Sequence, residues 1–512
     1  MNFRKILRKS PLLSFLSLYA FLQIFVMSKD FETDKGKGKK LAQVYCSTCH
    51  KVPLPEELDK ISWEQYVLPR MKKMMGIDSI TQHDDFFEKR YISEIKERGI
   101  FLDFSSLPIS SWDAIHDYYI SEAPVTLNPK DDEESMELSS LFKPIFPSIY
   151  SSPPSTSLIR LDGSHILWSD IHTQSTYILD HNFDAIKSIK NPAEGLVDVD
   201  HFGKGKIFTF MGSFSPTDDT TGMIYFLDTT SDFKLYPLIY GLRRPVKTQV
   251  NDMNQDGKDD IIVAEFGKWL GQLTVFINQG SGSFKKMILS KKPGSVSAEV
   301  VDLNNDGLLD IIGLFAQGDE HISVFTQNRD GSFVENRVLE FSPAFGSTGF
   351  VVQDFNHDKY LDILYYNGDL ADFPISAKPY QGIWIYLNNG KGKFVKNDFL
   401  QASGVYQAHV ADFDMDGDID IFCNSFFPNK GKPKVTGLSL FENINGKYQK
   451  KSLASEDMGR WLVSDMADLE GDGDMDIIVG NLIMELLGHQ DLIQAWVMDG
   501  LPFMILKNKT ID

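Results

Sequence analysis

Cysteine is nearly absent from this chain. Its 512 residues hold three, Cys46, Cys49 and Cys423, which is too few for a disulfide scaffold. Long hydrophobic runs are as scarce. Only Pro11–Met27 approaches spanning length and no second apolar stretch follows, so the bulk of the chain is expected to be soluble. No phosphate loop, dinucleotide fingerprint or Ser–His–acid pattern stands out, which removes the common nucleotide-dependent and hydrolytic readings. Positive charge is in deficit too. Fifty-one Lys and Arg against 71 Asp and Glu leave a formal net charge of −20, which argues against nucleic acid as a partner.

What is present is organised. A hydrophobic content of 42% and a charged content of 24% are those of a folded chain. The length calls for two or three units. Arg4, Lys5, Arg8 and Lys9 precede the apolar run Pro11–Met27, a basic n-region before an h-region. Residues 1–28 therefore read as a signal peptide or an N-terminal membrane anchor. The product is expected to be exported, periplasmic or associated with the outer face of the inner membrane of a Gram-negative bacterium.

Cys46-Ser47-Thr48-Cys49-His50 is a C-x-x-C-H motif. Two thiols one helical turn apart can form thioethers to the vinyl groups of a haem, and the next residue then offers its imidazole to the iron. A lone C-x-x-C would suit a redox dithiol or half a zinc site equally well. The added histidine, the single copy and the export segment favour one covalent haem c. Helices are expected over Lys35–Val44, Trp63–Met75 and Trp112–Ser121, with a break at Pro69.

The region Phe31–Pro124 resembles the class I cytochrome c family. That resemblance implies a final aromatic-rich helix packed against the first, and a methionine as sixth iron ligand. Met71, in a Leu-Pro-Arg-Met context, is the first candidate. Met74, Met75, His83, His116 and an open position are the alternatives. With His50 and a methionine both bound, the iron is closed to substrate and the role is one-electron transfer. Residues 29–125 form this unit, and the proline-bearing acidic stretch 126–155 reads as a linker.

From residue 156 the chain repeats. Related acidic segments start at Asp252, Asp302, Asp354, Asp412 and Asp468, spaced 50, 52, 58 and 56 residues apart. Such periods suit four-stranded propeller blades. In the first segment, Asp252, Asn254, Asp256 and Asp260 put oxygens at loop positions 1, 3, 5 and 9, with the Lys258 carbonyl at 7 and the bend residue Gly257 at 6. Alternating oxygens on a tight turn surround a hard cation. The pattern recurs as Asp302, Asn304, Asp306, Leu308 and Asp310, and as Asp354, Asn356, Asp358, Tyr360 and Asp362. It recurs again as Asp412, Asp414, Asp416, Asp418 and Asp420, and as Asp468, Glu470, Asp472, Asp474 and Asp476. The loop at Asp354 bends at Lys359 instead of glycine, so the weakest site is expected there. Five bound Ca2+ would bring −20 to about −10.

These loops resemble the calcium loops of the FG-GAP/VCBS repeat family of integrin-type propellers, over roughly residues 155–510. Leu196–Phe210 with Phe214–Asp228 looks like a degenerate blade and Ser157–Leu179 like another, which closes the count at seven. The fold class is thus a small all-α cytochrome c domain plus an all-β, seven-bladed propeller over residues 156–512.

Three function classes remain. The leading one is an electron-transfer module joined to a propeller that binds a partner, the partner being a redox protein or a small redox substrate. The second is a propeller oxidoreductase, with a quinone as its candidate cofactor, that passes substrate electrons to the haem. The third is an adhesion or matrix protein with a protein or glycan ligand. His357, His409 and His489 are candidates to line one face of the propeller.

Overall fold

The computed structural model describes residues 34–79, 87–102, 105, 107–127, 136–371, 377–427, 437–483 and 490–511. The expected leader or anchor lies outside the described residues, as do His83 and His489. Among the described residues no helix is long and apolar enough to cross a membrane.

Seven four-stranded antiparallel sheets form the β part. Blade 1 holds Thr156–Asp162, His165–Asp170, Ser175–Leu179 and Ala185–Lys190, and blade 2 holds Leu196–Phe202, Gly205–Phe210, Gly222–Asp228 and Lys234–Leu242. Blade 3, which carries the first acidic loop, holds Pro245–Asn251, Asp260–Glu265, Gln272–Gly280 and Ser283–Ser290. Blades 4, 5 and 6 begin at Ser295–Val301, Ser347–Gln353 and Val405–Ala411. In blade 7, Trp461–Ala467, Asp476–Asn481 and Phe503–Asn508 are joined by Phe142–Ile145.

The last pairing closes the ring. Phe142 stands opposite Asn508 and Ile145 opposite Ile505, so a strand from before the first blade completes the last and ties the two ends of the ring together. Phe142–Ile145 falls inside the stretch that composition reads as linker. Pro144 is tolerated there because the strand is the outermost of its sheet.

Strand position within a blade explains the sequence pattern. Second strands such as Asp260–Glu265, Asp310–Phe315 and Asp476–Asn481 are buried at all their positions. Each is covered by neighbouring blades on both faces, so it reads as a continuous apolar run instead of alternating. Ile261, Val263 and Phe276 of blade 3 pack on Ile207 and Ile224 of blade 2. Ile478 and Phe503 of blade 7 pack on Ile159 and Trp168 of blade 1. First strands are the innermost. Pro245–Asn251, Ser295–Val301 and Val405–Ala411 share one pattern, in which two buried residues alternate with half-buried ones facing a central channel.

The helical part has its own core. Helices Asp34–Tyr45 and Ile109–Glu122 cross at Gly38, where a Cβ would lie 2.1 Å from the Ala114 carbonyl oxygen and 2.7 Å from Tyr118 Cβ. Only a glycine lets the two backbones approach this closely. Between them, Lys60–Ser62, a π-helical turn Trp63–Val67 and Leu68–Met74 follow one another directly. The extra residue of the π turn comes just before Pro69 and absorbs the missing amide bond that proline imposes. Trp63, Leu68, Trp112, Ile115 and Tyr119 are the buried centre.

Candidate functional site

Antiparallel meanders put alternate connections at opposite ends of the strands. The acidic loops all join first to second strands, so they share one face of the ring. The helical part sits on the other face, on loops that join second to third strands or blade to blade. Arg243 holds Glu94 through two contacts of 2.7 and 2.8 Å, and this pairing pulls the Glu94 carboxyl down to about 2. Glu88 accepts from Thr217 Oγ1 and the Asp218 amide. Tyr380 donates to the Glu57 carbonyl oxygen at 2.6 Å, and Lys51 Nζ to that of Glu340 at 3.1 Å. Phe87 packs against Trp269 with ring centroids 5.2 Å apart and planes tilted by 48°.

Between cap and ring lies a cavity of about 1780 Å3. Cys46, Cys49, His50 and Met71 all line it. Cys46 and Cys49 are brought to one wall by a 3-10 turn, Cys46–Thr48, that continues the first helix. Burial, with Cys49 beside it, pushes the Cys46 thiol up to about 11, so it is held as a neutral thiol. His50 Nδ1 is 2.8 Å from the Lys51 carbonyl oxygen. A carbonyl only accepts, so Nδ1 carries the proton and Nε2 keeps its lone pair for a metal.

The methionines separate by packing. Met71 and Met75 pack in the same apolar cluster as Cys46, Trp63 and Tyr119. Met74 instead packs with Phe87, Ile95, Phe101 and Trp269, although it too reaches the cavity. His116 lies on the outer side of its helix beside Asp117 and does not line the cavity. A haem fits what is present: two thiols, an imidazole with a free Nε2, a thioether from a separate helical segment, and a largely apolar cavity.

Each acidic loop is a tight turn. Asp252 accepts from the amides of Asp256 (3.0 Å) and Gly257 (2.7 Å), and Asn254 Oδ1 accepts from Asp256 (3.0 Å). The same bonds join Asp302 to Asp306 and Gly307, and Asp354 to Asp358 and Lys359. Lys359 adopts φ +73°, the left-handed bend that Gly257 makes at +83°. This is the strain expected of a non-glycine residue there.

Among the described residues, Asp412, Asp414 and Asp420 each offer a carboxylate oxygen within 4.8 Å of the others, close enough to hold one metal ion together. Asp412 Oδ1 is buried with no hydrogen-bond partner. Burial, followed by Asp414 and Asp416, pushes Asp420 up to about 6. Burial and Glu470 push Asp476 up to about 7. Crowded, desolvated carboxylates with an orphaned oxygen fit a hard divalent cation.

The position-9 aspartates have a second role that spacing did not reveal. Asp260 accepts from the Met253 amide with one oxygen (3.0 Å) and from the Asn278 amide with the other (2.7 Å). Asp362, Asp420 and Asp476 repeat both bonds. Asn278, Asn388 and Asn443 then return their side-chain amides to the backbone just before that aspartate. Asn ends the third strand of blades 5, 6 and 7 and lies near its end in blade 3, and loop spacing alone does not show its link to the aspartate.

His357 and His409 do not share a face. His357 is exposed at the tip of an acidic loop, whereas His409 stands on an inner strand and lines the channel. Cys423 is fully buried in a second strand.

The FG-GAP-like repeat family matches residues 252–313 and 370–423. No curated protein sequence matches the chain significantly. Among solved structures, streptogramin B lyase is 13% identical and covers 72% of this chain and 97% of its own, with a TM-score of 0.43. Hydrazine synthase of Kuenenia stuttgartiensis is 12% identical and covers 75% and 100%, with a TM-score of 0.44. The chain carries FG-GAP-like repeats within a seven-bladed β-propeller.

Proposed function

We propose that this chain is an exported c-type cytochrome that transfers single electrons from a site roofed over a calcium-braced propeller. The observation that carries the reading is that Cys46, Cys49, His50 and Met71 line one cavity, with Cys46 and Met71 on the same apolar cluster, although they come from two separate helical segments. Cys46 and Cys49 would hold the haem covalently, His50 would bind its iron through Nε2, and Met71 would supply a second iron ligand. When bound, the haem supplies one-electron oxidation and reduction at the iron. The residues themselves do the rest. Trp63 and Tyr119 are fixed by bonds to the Pro55 and Pro53 carbonyls (2.8 and 2.9 Å) and keep the pocket rigid. The ring forms the opposite wall of the same cavity.

The five acidic loops would each take one Ca2+ on the far face, where they hold first and second strands in register. The basic residues Arg4–Lys9 and the apolar run Pro11–Met27 support export. The placement of the cap over the ring supports a redox partner that docks on the helical surface or a small redox molecule that enters the cavity.

The test is expression with the native leader in a host that matures c-type cytochromes, followed by alkaline pyridine spectra of the reduced protein. One covalent haem c per chain, lost in Cys46→Ala/Cys49→Ala, supports the reading. A colourless chain, in a host that loads a control cytochrome, overturns it.

A further inference from the structure

The cavity lined by Cys46 and His50 runs down to the mouth of the channel between the inner strands, and the cations along it are held differently. Arg160 and Lys247 share Asp198 (3.1 and 3.4 Å), Arg98 pairs with Glu94 (3.0 Å) and Lys292 with Asp319 (2.5 Å). Arg244, at the junction of blades 2 and 3, has no such partner among the described residues. Its Nε donates to the Ser213 carbonyl oxygen (3.2 Å) and its Nη2 to that of Phe214 (3.0 Å), and the Phe266 ring lies 5.4 Å away. Of the five N–H donors on a guanidinium, both on Nη1 stay uncommitted, on a side chain that lines the cavity. A cation withdrawn from water without a counter-ion is costly, and an anion that enters beside it offsets the cost. Arg244 also holds φ +51°, and no other described non-glycine residue in that left-handed region lines the cavity. Such strain persists where the surroundings require a particular placement.

A second donor stands across from it. Tyr406 belongs to the first strand of blade 6, Val405–Ala411, three blades on from blade 3 in a ring of seven. Arg244 and Tyr406 are close enough to interact electrostatically. The Tyr406 hydroxyl has no hydrogen-bond partner among the described residues, and burial pushes it up to about 12, so it is a neutral donor. Both residues are half-buried and line the cavity. Phe214, Leu370 and Leu462 pack with Tyr406 and line the same mouth. Asp369 faces the pair as well, accepts from the Ala371 amide (2.8 Å), and makes no ion pair with Arg244.

We propose that Arg244 and Tyr406 bind a carboxylate borne on an apolar body, the guanidinium and the phenol donating to its oxygens while the body lies on Phe214, Leu370 and Leu462. A free organic acid and a haem propionate both offer this chemistry. All five residues belong to the ring, so the site does not depend on whether Cys46 and Cys49 carry haem.

The experiment is isothermal titration with hexanoate, in excess calcium, of the full chain matured in a c-type host and of its haem-free Cys46→Ala/Cys49→Ala form. Hexanoate binding to the matured chain assigns the site to a free organic acid. Binding to the haem-free form alone assigns it to the haem's own propionate. In the form that binds, Arg244→Gln and Tyr406→Phe are each expected to weaken hexanoate about tenfold, and hexylamine is expected not to bind. Tyr406→Phe removes a hydroxyl that makes no bond in the structure, so it keeps the test decisive if Arg244→Gln misfolds. If no haem ever attaches, the two forms are alike and the same variants still decide the carboxylate site. No hexanoate binding to either form, binding unchanged in Tyr406→Phe or in a folded Arg244→Gln, or equal binding of hexylamine would overturn the proposal.

Discussion

Gly38→Ala gives a prediction whose sign tests the helical core. At an open helical position the change would stabilise by about 1 kcal/mol, because alanine loses less backbone entropy. Gly38 is not open. The new Cβ would fall 2.1 Å from the Ala114 carbonyl oxygen and 2.7 Å from Tyr118 Cβ. The first of these is backbone and cannot swing aside, so relief requires the helices Asp34–Tyr45 and Ile109–Glu122 to part. Overpacking of this kind costs about 1–3 kcal/mol. With the upper end applied and the propensity gain subtracted, the net loss is about 2 kcal/mol. For a unit of this size, that lowers the melting temperature by roughly 8–16 °C. The assay is far-UV circular dichroism on heating in excess calcium, where filled loops would keep the propeller folded while the helices melt. A melting temperature equal to or above wild type would refute the crossing at Gly38.

Chelation of calcium is expected to lower the propeller's melting temperature. Each filled site adds about 2.7 kcal/mol at a hundredfold excess over its dissociation constant, and calorimetry with and without chelator measures the difference. Lys359→Gly should relieve the strained bend and tighten the loop at Asp354, seen as a higher-affinity step in calcium titration, and a weaker step would contradict the bend argument. His321 is fully buried beside Asp319, Arg337 and Lys292, and burial pushes it down to about 4. Its folded pKa lies below its unfolded value near 6.5, so its contribution is intact above about 6.5 and is lost as pH falls toward 4. At about 1.4 kcal/mol per unit this amounts to roughly 3 kcal/mol. His321→Phe should flatten the denaturant midpoint over that window, and an unchanged slope would refute the assignment. Met71→Ala should change the reduced spectrum and lower the redox potential far more than Met74→Ala, as their different packing requires, and equal effects of the two would refute the choice of Met71.

The propeller was legible where its loops are acidic. Asp252, Asp302, Asp354, Asp412 and Asp468 recur at blade spacing because each loop must present oxygens at fixed positions. Blades 1 and 2 lack such loops, and there only the apolar strands around Leu167 and Phe208 mark them. The closing strand Phe142–Ile145 was hidden. It is four residues long, contains Pro144, and pairs with a strand more than 350 residues away. The C-x-x-C-H group was legible because its chemistry is local. The cavity above the ring was not, since it depends on contacts such as Glu94 with Arg243 that no periodicity encodes. His357 and His409 show the same limit, because position along a blade decides surroundings, and one sits at a loop tip while the other lines the channel.

The most direct test of the account is tandem mass spectrometry of the mature chain, digested under denaturing conditions after expression in a c-type-maturing host. The account predicts one haem attached through both Cys46 and Cys49 on the peptide that ends in His50, with Cys423 unmodified. Free thiols at Cys46 and Cys49, in a host that loads a control cytochrome, would contradict it.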